Sequence, residues 1–592
     1  MTSPSSPSHP SSPSGPSNPA QQPGDPMPDR AERTSSAASD RDGSAPSPKK
    51  AKNSLPLTVF ALVILALLTL PFVAVGLLTQ GLEPDYLPRL FGKLLPRYVG
   101  DTFWLLVGTA IGAGALGLIV SLLTGLYEFP GRRLAVFASF MPLAIPGYLV
   151  AYYYGEALSF GGPFQSALRD LFGWSGRQDY WFPDIKSLGG AVFIFSFVLF
   201  PYVFVAIRAA LSARLYLILE VGRVAGRSWL FALVRVGVPL VAPALFGGMI
   251  LAALEAVGDF GVVEYFGVRT FTFAIFDLWL NKSKMWAAGV VSLLSLFIVV
   301  VLVAVEQRMR RALDTHGVGA SAHNIRRPLP RLLMPLVWLL ALGPAVVGFL
   351  IPTAGLLVAM VQAMGAGTLI VPLDAVADTL VIAAVMAVLI PIFVTFLTWQ
   401  WRWSPANFAG QALGAAVEAL GRGYALPGLV LALGIGWMLR TADLQLLVPL
   451  QTLLGLEPSA WLSGSLLMVA YAYVVRFSAP ASPPLRSGLA LITPNVVATA
   501  KLLGRGPWHR LRLVYLPMLS QPLFLAGLLV SVEVAKELPI MLFLRPVGFE
   551  TLALVSYSYG SESLISQASF PALLIILMGV VPAAVIAASS QR

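Results

Sequence analysis

Two stretches decide the reading of this chain. The first is Glu220-Val-Gly-Arg-Val-Ala-Gly226-Arg-Ser-Trp229-Leu-Phe-Ala-Leu-Val-Arg-Val-Gly-Val-Pro239, and the second is Ala498-Thr-Ala-Lys-Leu-Leu-Gly504-Arg-Gly-Pro-Trp508-His-Arg-Leu-Arg-Leu-Val-Tyr-Leu-Pro517. Gly226 and Gly504 stand 278 residues apart (504 − 226), and so do Pro239 and Pro517. Each stretch is basic and polar, and each lies between long apolar segments. The same offset pairs Arg208 with Arg486, Leu245-Phe246 with Leu523-Phe524, Glu255 with Glu533 and Asp259 with Glu537. One offset that serves basic, apolar and acidic positions alike marks an internal repeat.

The composition places that repeat in a membrane. Hydrophobic residues make up 57% of the chain and charged residues 12%, where a soluble domain carries roughly 25% charged residues. A spanning helix needs about 20 apolar residues. Six candidate spans fall near 55–78, 101–129, 134–154, 188–207, 239–263 and 287–305. Six more fall near 332–363, 376–400, 424–440, 462–476, 517–544 and 570–588. The expectation is an all-α polytopic membrane protein of about twelve helices, built as two parallel six-helix repeats. Its parts are a Ser/Pro-rich disordered tail (1–54), a first half (55–307), a basic linker (308–331) and a second half (332–592). The tail cannot bury enough apolar surface to fold.

Charge sets the expected orientation. Residues 208–235 hold five Arg against Glu220, residues 476–512 hold six basic residues and no acid, and the linker adds six Arg between 308 and 331. The loop 157–187 is balanced, with three basic and three acidic residues. Basic loops stay in the cytoplasm, so both repeat stretches, the linker and both termini are expected inside. The net charge of +11 then belongs to membrane topology and not to nucleic acid. With no cysteine, thiol chemistry and disulfides are excluded.

Within the repeat stretches, Gly226 and Gly504 sit where a short helix would end in a positive-φ residue. Pro239 and Pro517 suit the first turn of the next long helix. Trp229, Phe231 and Leu233 in one copy, and Trp508, Leu511 and Leu513 in the other, suit either a helix pressed into a protein groove or an anchor at the membrane interface. Glu255 and Asp259 share one helix face, as do Glu533 and Glu537. Sixteen residues of helix from Pro239 put Glu255 about 24 Å along, deep in the membrane. Carboxylates there either line a passage, where they would suit a hard cation, or pair with bases such as Lys536 and lock a gate. No metal site is fixed by the sequence.

The pattern Glu220, Gly226, Pro239, with its second copy, resembles the Glu-Ala-Ala loop of ABC importer permeases, although the Ala pair is absent after Glu220 and Ala498 replaces the second Glu. Pro146-Gly147-Tyr148 and Pro427-Gly428 resemble the Pro-Gly element of the third span in each half. Asp259-Phe-Gly-Val-Val-Glu-Tyr-Phe-Gly267 and Lys536-Glu-Leu-Pro539 resemble the ferric-iron branch of these permeases. The resemblance covers about 55–588. It implies a type I ABC importer permease with two halves fused in one chain. It further implies an ABC ATPase dimer docked on Glu220, Gly226, Trp229, Pro239, Gly504, Trp508 and Pro517, and a periplasmic or extracellular binding protein on the other face. The membrane would be the bacterial inner membrane. Thiamine, sulfate, phosphonate or polyamine are alternative substrates, because those permeases share the scaffold. No Gly-x-x-x-x-Gly-Lys-Ser/Thr loop is present, so the chain is expected to hold no cofactor, with ATP and Mg on the partner subunit. An ion-coupled carrier is the competing class. No catalytic cluster supports an enzyme.

Overall fold

The computed structural model describes residues 55–211, 226, 228–315, 326–404, 406–504 and 506–589. The tail, most of the first repeat stretch including Glu220, and the middle of the linker lie outside the described residues.

Among the described residues, twelve helices stand at the places of the expected spans. In the first half they are α1 (Leu55–Leu78), α2 (Leu95–Leu126), α3 (Gly147–Ala157), α4 (Leu188–Ala210), α5 (Val238–Gly258) and α6 (Met285–Thr315). In the second half they are α7 (Ile351–Gly365), α8 (Leu373–Arg402), α9 (Gly428–Ala442), α10 (Leu466–Leu491), α11 (Leu516–Ala535) and α12 (Ile565–Ser589). Ten described helices are long and apolar enough to cross a membrane. An eleventh span is broken: Arg132–Ala144 and α3 meet at 93° around Ile145-Pro146, where Pro146 is extended and cannot continue a helix. The twelfth segment, α10, falls short of that apolarity because it carries Arg476, Arg486 and three prolines, Pro480, Pro483 and Pro484. It nevertheless packs between α8 and α11, both apolar spans.

The halves exchange their first arms. α1 packs on α9 and on helix Phe408–Leu420 of the second half, while the stretch Arg331–Gly365 packs on α2, α3 and helix Arg132–Ala138 of the first. Tyr154 Oη donates to the Val347 carbonyl at 2.8 Å, and Trp338 Nε1 to the Pro130 carbonyl at 2.9 Å. On the other side, the Tyr471 hydroxyl donates to the Leu67 carbonyl.

The repeat is also legible in backbone devices. Thr102 Oγ1 accepts from the Phe271 N–H at 3.1 Å, and Thr379 Oγ1 from the Leu552 N–H at 2.8 Å. Each latch ties the start of a short helix, itself capped by Thr270 or Thr551, to a long span. Asp259 Oδ1 accepts from the Val262 N–H at 2.9 Å, and Glu537 Oε1 from the Ile540 N–H at 3.1 Å. Both acids therefore satisfy an orphan donor at a helix N-terminus.

Pro239 and Pro517 are the second residues of α5 and α11, in the first turn as expected, yet neither helix starts from open chain. The helical run begins ten residues earlier, at Trp229 and Pro507, and passes through a five-residue π turn, Leu233–Gly237 and Leu511–Tyr515, directly before α5 and α11. Proline lacks an N–H and crowds the carbonyl one turn back. A π turn relieves both faults by re-aiming the ladder, so the prolines sit inside a continuous helix.

Candidate functional site

Two places gather the residues singled out above. The first is one end of the bundle. α1 and α6 are antiparallel, with Leu78 packed against Gly289, and α5 runs antiparallel to α6, with Leu254 and Val257 against Val299. Trp229, just before α5, therefore lies at the end where α1 begins. The first turns of α1 lie on the end of α8, with Phe60 against Phe396 at 5.9 Å, and Trp399 of α8 packs on Tyr515 at 4.7 Å. Trp508 lies two turns before Tyr515. Both tryptophans stand at the same end.

Their settings differ. Trp229 is half-buried, packs edge-on against Tyr127, and donates from Nε1 to the Tyr127 hydroxyl at 2.7 Å. Trp508 is 70% exposed. Gly226 and Gly504 have φ of +77° and +68°, the left-handed region that side chains resist. In the second copy, Gly504 separates two short helices, Pro494–Leu502 and Pro507–Arg510. Pro239 and Pro517 are exposed.

The second place is a central cavity of about 110 Å³, lined by both halves. All four predicted acids line it. Glu255 accepts from the Tyr202 hydroxyl at 2.7 Å. Glu533 accepts from the Tyr424 hydroxyl at 2.8 Å and pairs with Lys536 at 2.8 Å. Glu537 pairs with Arg476 at 3.2 Å. Among the described residues, Asp259 takes the Val262 N–H described above and no ion pair. The Pro-Gly elements let the chain approach these groups. A Cβ on Gly428 would fall 2.1 Å from Arg476 Nη1, so any side chain there would expel the guanidinium.

Arg476 is a correction. The charge pattern assigns it to a basic loop, but it sits in the middle of α10, 7% exposed, with Glu537 at 6% as its partner. A buried cation persists only where a carboxylate meets it. The signal in the sequence was a lone Arg among apolar residues, which marks an intramembrane charge with a partner. Tyr148, Tyr202 and Tyr424 also line the cavity; composition and spacing gave no sign of Tyr202. The lining carries four carboxylates against one guanidinium and one ammonium. Among the described residues, no three acids or imidazoles converge as a ready metal centre.

No family profile matches the chain. Curated relatives do. It is 22% identical over 544 residues to the Fe(3+)-transport system permease protein FbpB 2 of Haemophilus influenzae, covering 89% of this chain and 96% of that one. It is 24% identical over 485 residues to the probable ABC transporter permease protein y4fN of Sinorhizobium fredii, covering 76% and 80%. Over 120 residues it is 32% identical to the putative 2-aminoethylphosphonate transport system permease protein PhnV of Salmonella typhimurium, covering 20% and 44%. With two fused, arm-exchanged helical halves and a likeness that runs nearly end to end, the chain is similar to ABC transporter permeases, among them one named for Fe(3+) transport.

Proposed function

We propose that this chain is the translocation subunit of an ATP-driven importer of ferric iron. The observation that carries the substrate is the charge of the central cavity: four carboxylates face two cations, and both cations are already paired. A sulfate or phosphonate would enter against net negative charge, whereas a hard polyvalent cation prefers such oxygens. The relative's name, Fe(3+)-transport permease, supports the same substrate.

The motor is a pair of ATPase subunits that hold ATP and Mg and grip the two tryptophan-bearing segments at one end of the bundle. Basic loops put that end, and both termini, in the cytoplasm of a bacterium, with the chain in its inner membrane. A solute-binding protein delivers the ion at the opposite end. Closure of the motor draws the two handles together and swings the halves about the cavity, which is alternating access by rigid-body motion.

The test is uptake into proteoliposomes that hold the chain, its ATPase and its binding protein. ATP-dependent accumulation of ferric iron, with none of sulfate, 2-aminoethylphosphonate, thiamine or polyamine, is the expected result. Accumulation of one of those solutes instead would replace the substrate. Uptake by the chain alone, driven by an ion gradient, would replace the mechanism.

A further inference from the structure

The repeat allows the two walls of the cavity to be compared position by position. In the second half, Glu533 is neutralised by Lys536 and Glu537 by Arg476. The first-half positions 278 residues earlier are Gly258 and Val198, so that wall has no base. Among the described residues, Glu255 and Asp259 hydrogen-bond to neutral donors, the Tyr202 hydroxyl and the Val262 N–H, and form no ion pair.

A third oxygen belongs to another residue of the cavity lining. Tyr148 follows the first Pro-Gly element, lines the cavity and is 4% exposed, yet its hydroxyl has no hydrogen-bond partner. The residue after the second Pro-Gly element is Leu429, which offers no oxygen. Gly261 makes room for the tyrosine: a Cβ there would fall 2.5 Å from Tyr148 Cβ. A buried hydroxyl left unmatched is costly, and such exceptions call for a functional reason. A ligand that passes through the cavity supplies one.

We propose that Tyr148, Glu255 and Asp259 form the substrate wall, which takes up a hard polyvalent cation in transit. The Glu533–Lys536 and Glu537–Arg476 pairs form the opposite, self-neutralised wall that holds the passage shut. Carboxylate and phenol oxygens are the donors such an ion selects. Neither carboxylate of the first wall has an ion-pair partner among the described residues, and the cavity as a whole carries two more acids than bases, an excess that a cation in transit would balance. The pairs opposite offset part of the repulsion among the four acids in the empty cavity. This division of labour rests on the importer reading above and deepens it.

The test uses the whole transporter in proteoliposomes with its ATPase and ferric-loaded binding protein. It reads ferric uptake and ATP hydrolysis separately. Glu255→Gln, Asp259→Asn and Tyr148→Phe are expected to lower uptake about 10- to 100-fold, the scale on which a lost supporting group weakens metal binding. Hydrolysis stimulated by the binding protein should remain. Tyr148→Phe keeps the packing of the ring, so its effect reads the hydroxyl alone. The paired neutral variants Glu533→Gln/Lys536→Met and Glu537→Gln/Arg476→Met should lower uptake by less than the first-wall variants do, and the protein should stay folded, since a buried pair is often replaced at little cost in stability. They should also raise hydrolysis in the absence of binding protein. First-wall variants with wild-type uptake, or equal losses from both walls, would overturn the division. Should the unaltered transporter move an anion and not iron, the substrate reading itself falls before any variant is compared.

Discussion

The two halves share a set of backbone devices and differ in their side chains and in one loop. Both have the π turn before a proline, the positive-φ glycine, the threonine latch and the acid that caps a short helix. At the cavity, only the second half supplies cations. At the handle end, Trp229 is tied to Tyr127 while Trp508 is exposed. At the far end, the first half inserts a loop with helix Pro163–Phe172, where the second half has only the short connection between Leu453 and Leu466. Duplication preserved the backbone devices that brace each half, and divergence fell at the cavity, the handle end and the far-end loop.

The cavity offers the strongest way to break this comparison. Arg476→Met strands Glu537 in a buried site, and removing one partner of such a pair costs about 3–5 kcal/mol. The apparent Tm of the purified protein should fall steeply and recover in the Arg476→Met/Glu537→Gln double variant. Asp259→Asn, at the matching first-half acid, removes no ion pair and keeps a capping oxygen, so its cost should be under about 1 kcal/mol. Equal losses from Arg476→Met and Asp259→Asn would erase the asymmetry.

The handles offer the next test. Gly226→Val and Gly504→Val force a β-branched residue to positive φ, at about 1–2 kcal/mol each. Because a Cβ at either position meets nothing within 4 Å, the damage should stay in the handle. ATP hydrolysis coupled to uptake is expected to drop while the Tm barely moves. Tyr127→Phe removes the acceptor of Trp229 Nε1 and should cost about 0.5–1.5 kcal/mol. Trp508→Ala should leave stability within about 0.5 kcal/mol and lower the affinity for the ATPase. If Trp229→Ala and Trp508→Ala act alike in both readouts, the handles are equivalent and the tether is idle.

Most of the fold was legible in the sequence because apolar length and a single offset are global signals. Helical rise from Pro239 places Glu255 in the membrane, the shared helix face adds Asp259, the 278-residue offset adds Glu533 and Glu537, and all four line one cavity. What escaped was local. The run of Ser, Pro and Arg in 476–491 reads as loop, because proline and serine disfavour isolated helices; packing against α8 and α11 overrides that preference. The π turns escaped because no composition marks them. The unmatched hydroxyl of Tyr148 escaped because an absent partner has no sequence signature.

The smallest predicted effect lies in the two far-end loops, each gathered by one aspartate. Asp443 accepts from the Trp461, Leu462 and Ser463 N–H groups. In the longer first-half loop, Asp179 Oδ2 accepts from the Ser175 and Gly176 N–H groups at 2.7 and 2.8 Å, and from the Ser175 hydroxyl. Those bonds favour the carboxylate and hold the Asp179 pKa below its ordinary value. A depressed acid contributes order that is fully present above its unfolded pKa and lost as pH falls through the folded one. The window therefore lies below the usual aspartate range, and neutral pH leaves the loop intact. Asp179 is open to solvent, so the effect should appear as faster amide exchange of Ser175 and Gly176 on acidification, with no change in global Tm. Asp179→Ala should reproduce that exchange at neutral pH. Were the exchange of both amides indifferent to Asp179→Ala, the long loop would be held by its aromatic stack of Phe172, Trp174 and Tyr180, and the parallel with Asp443 would be one of position alone.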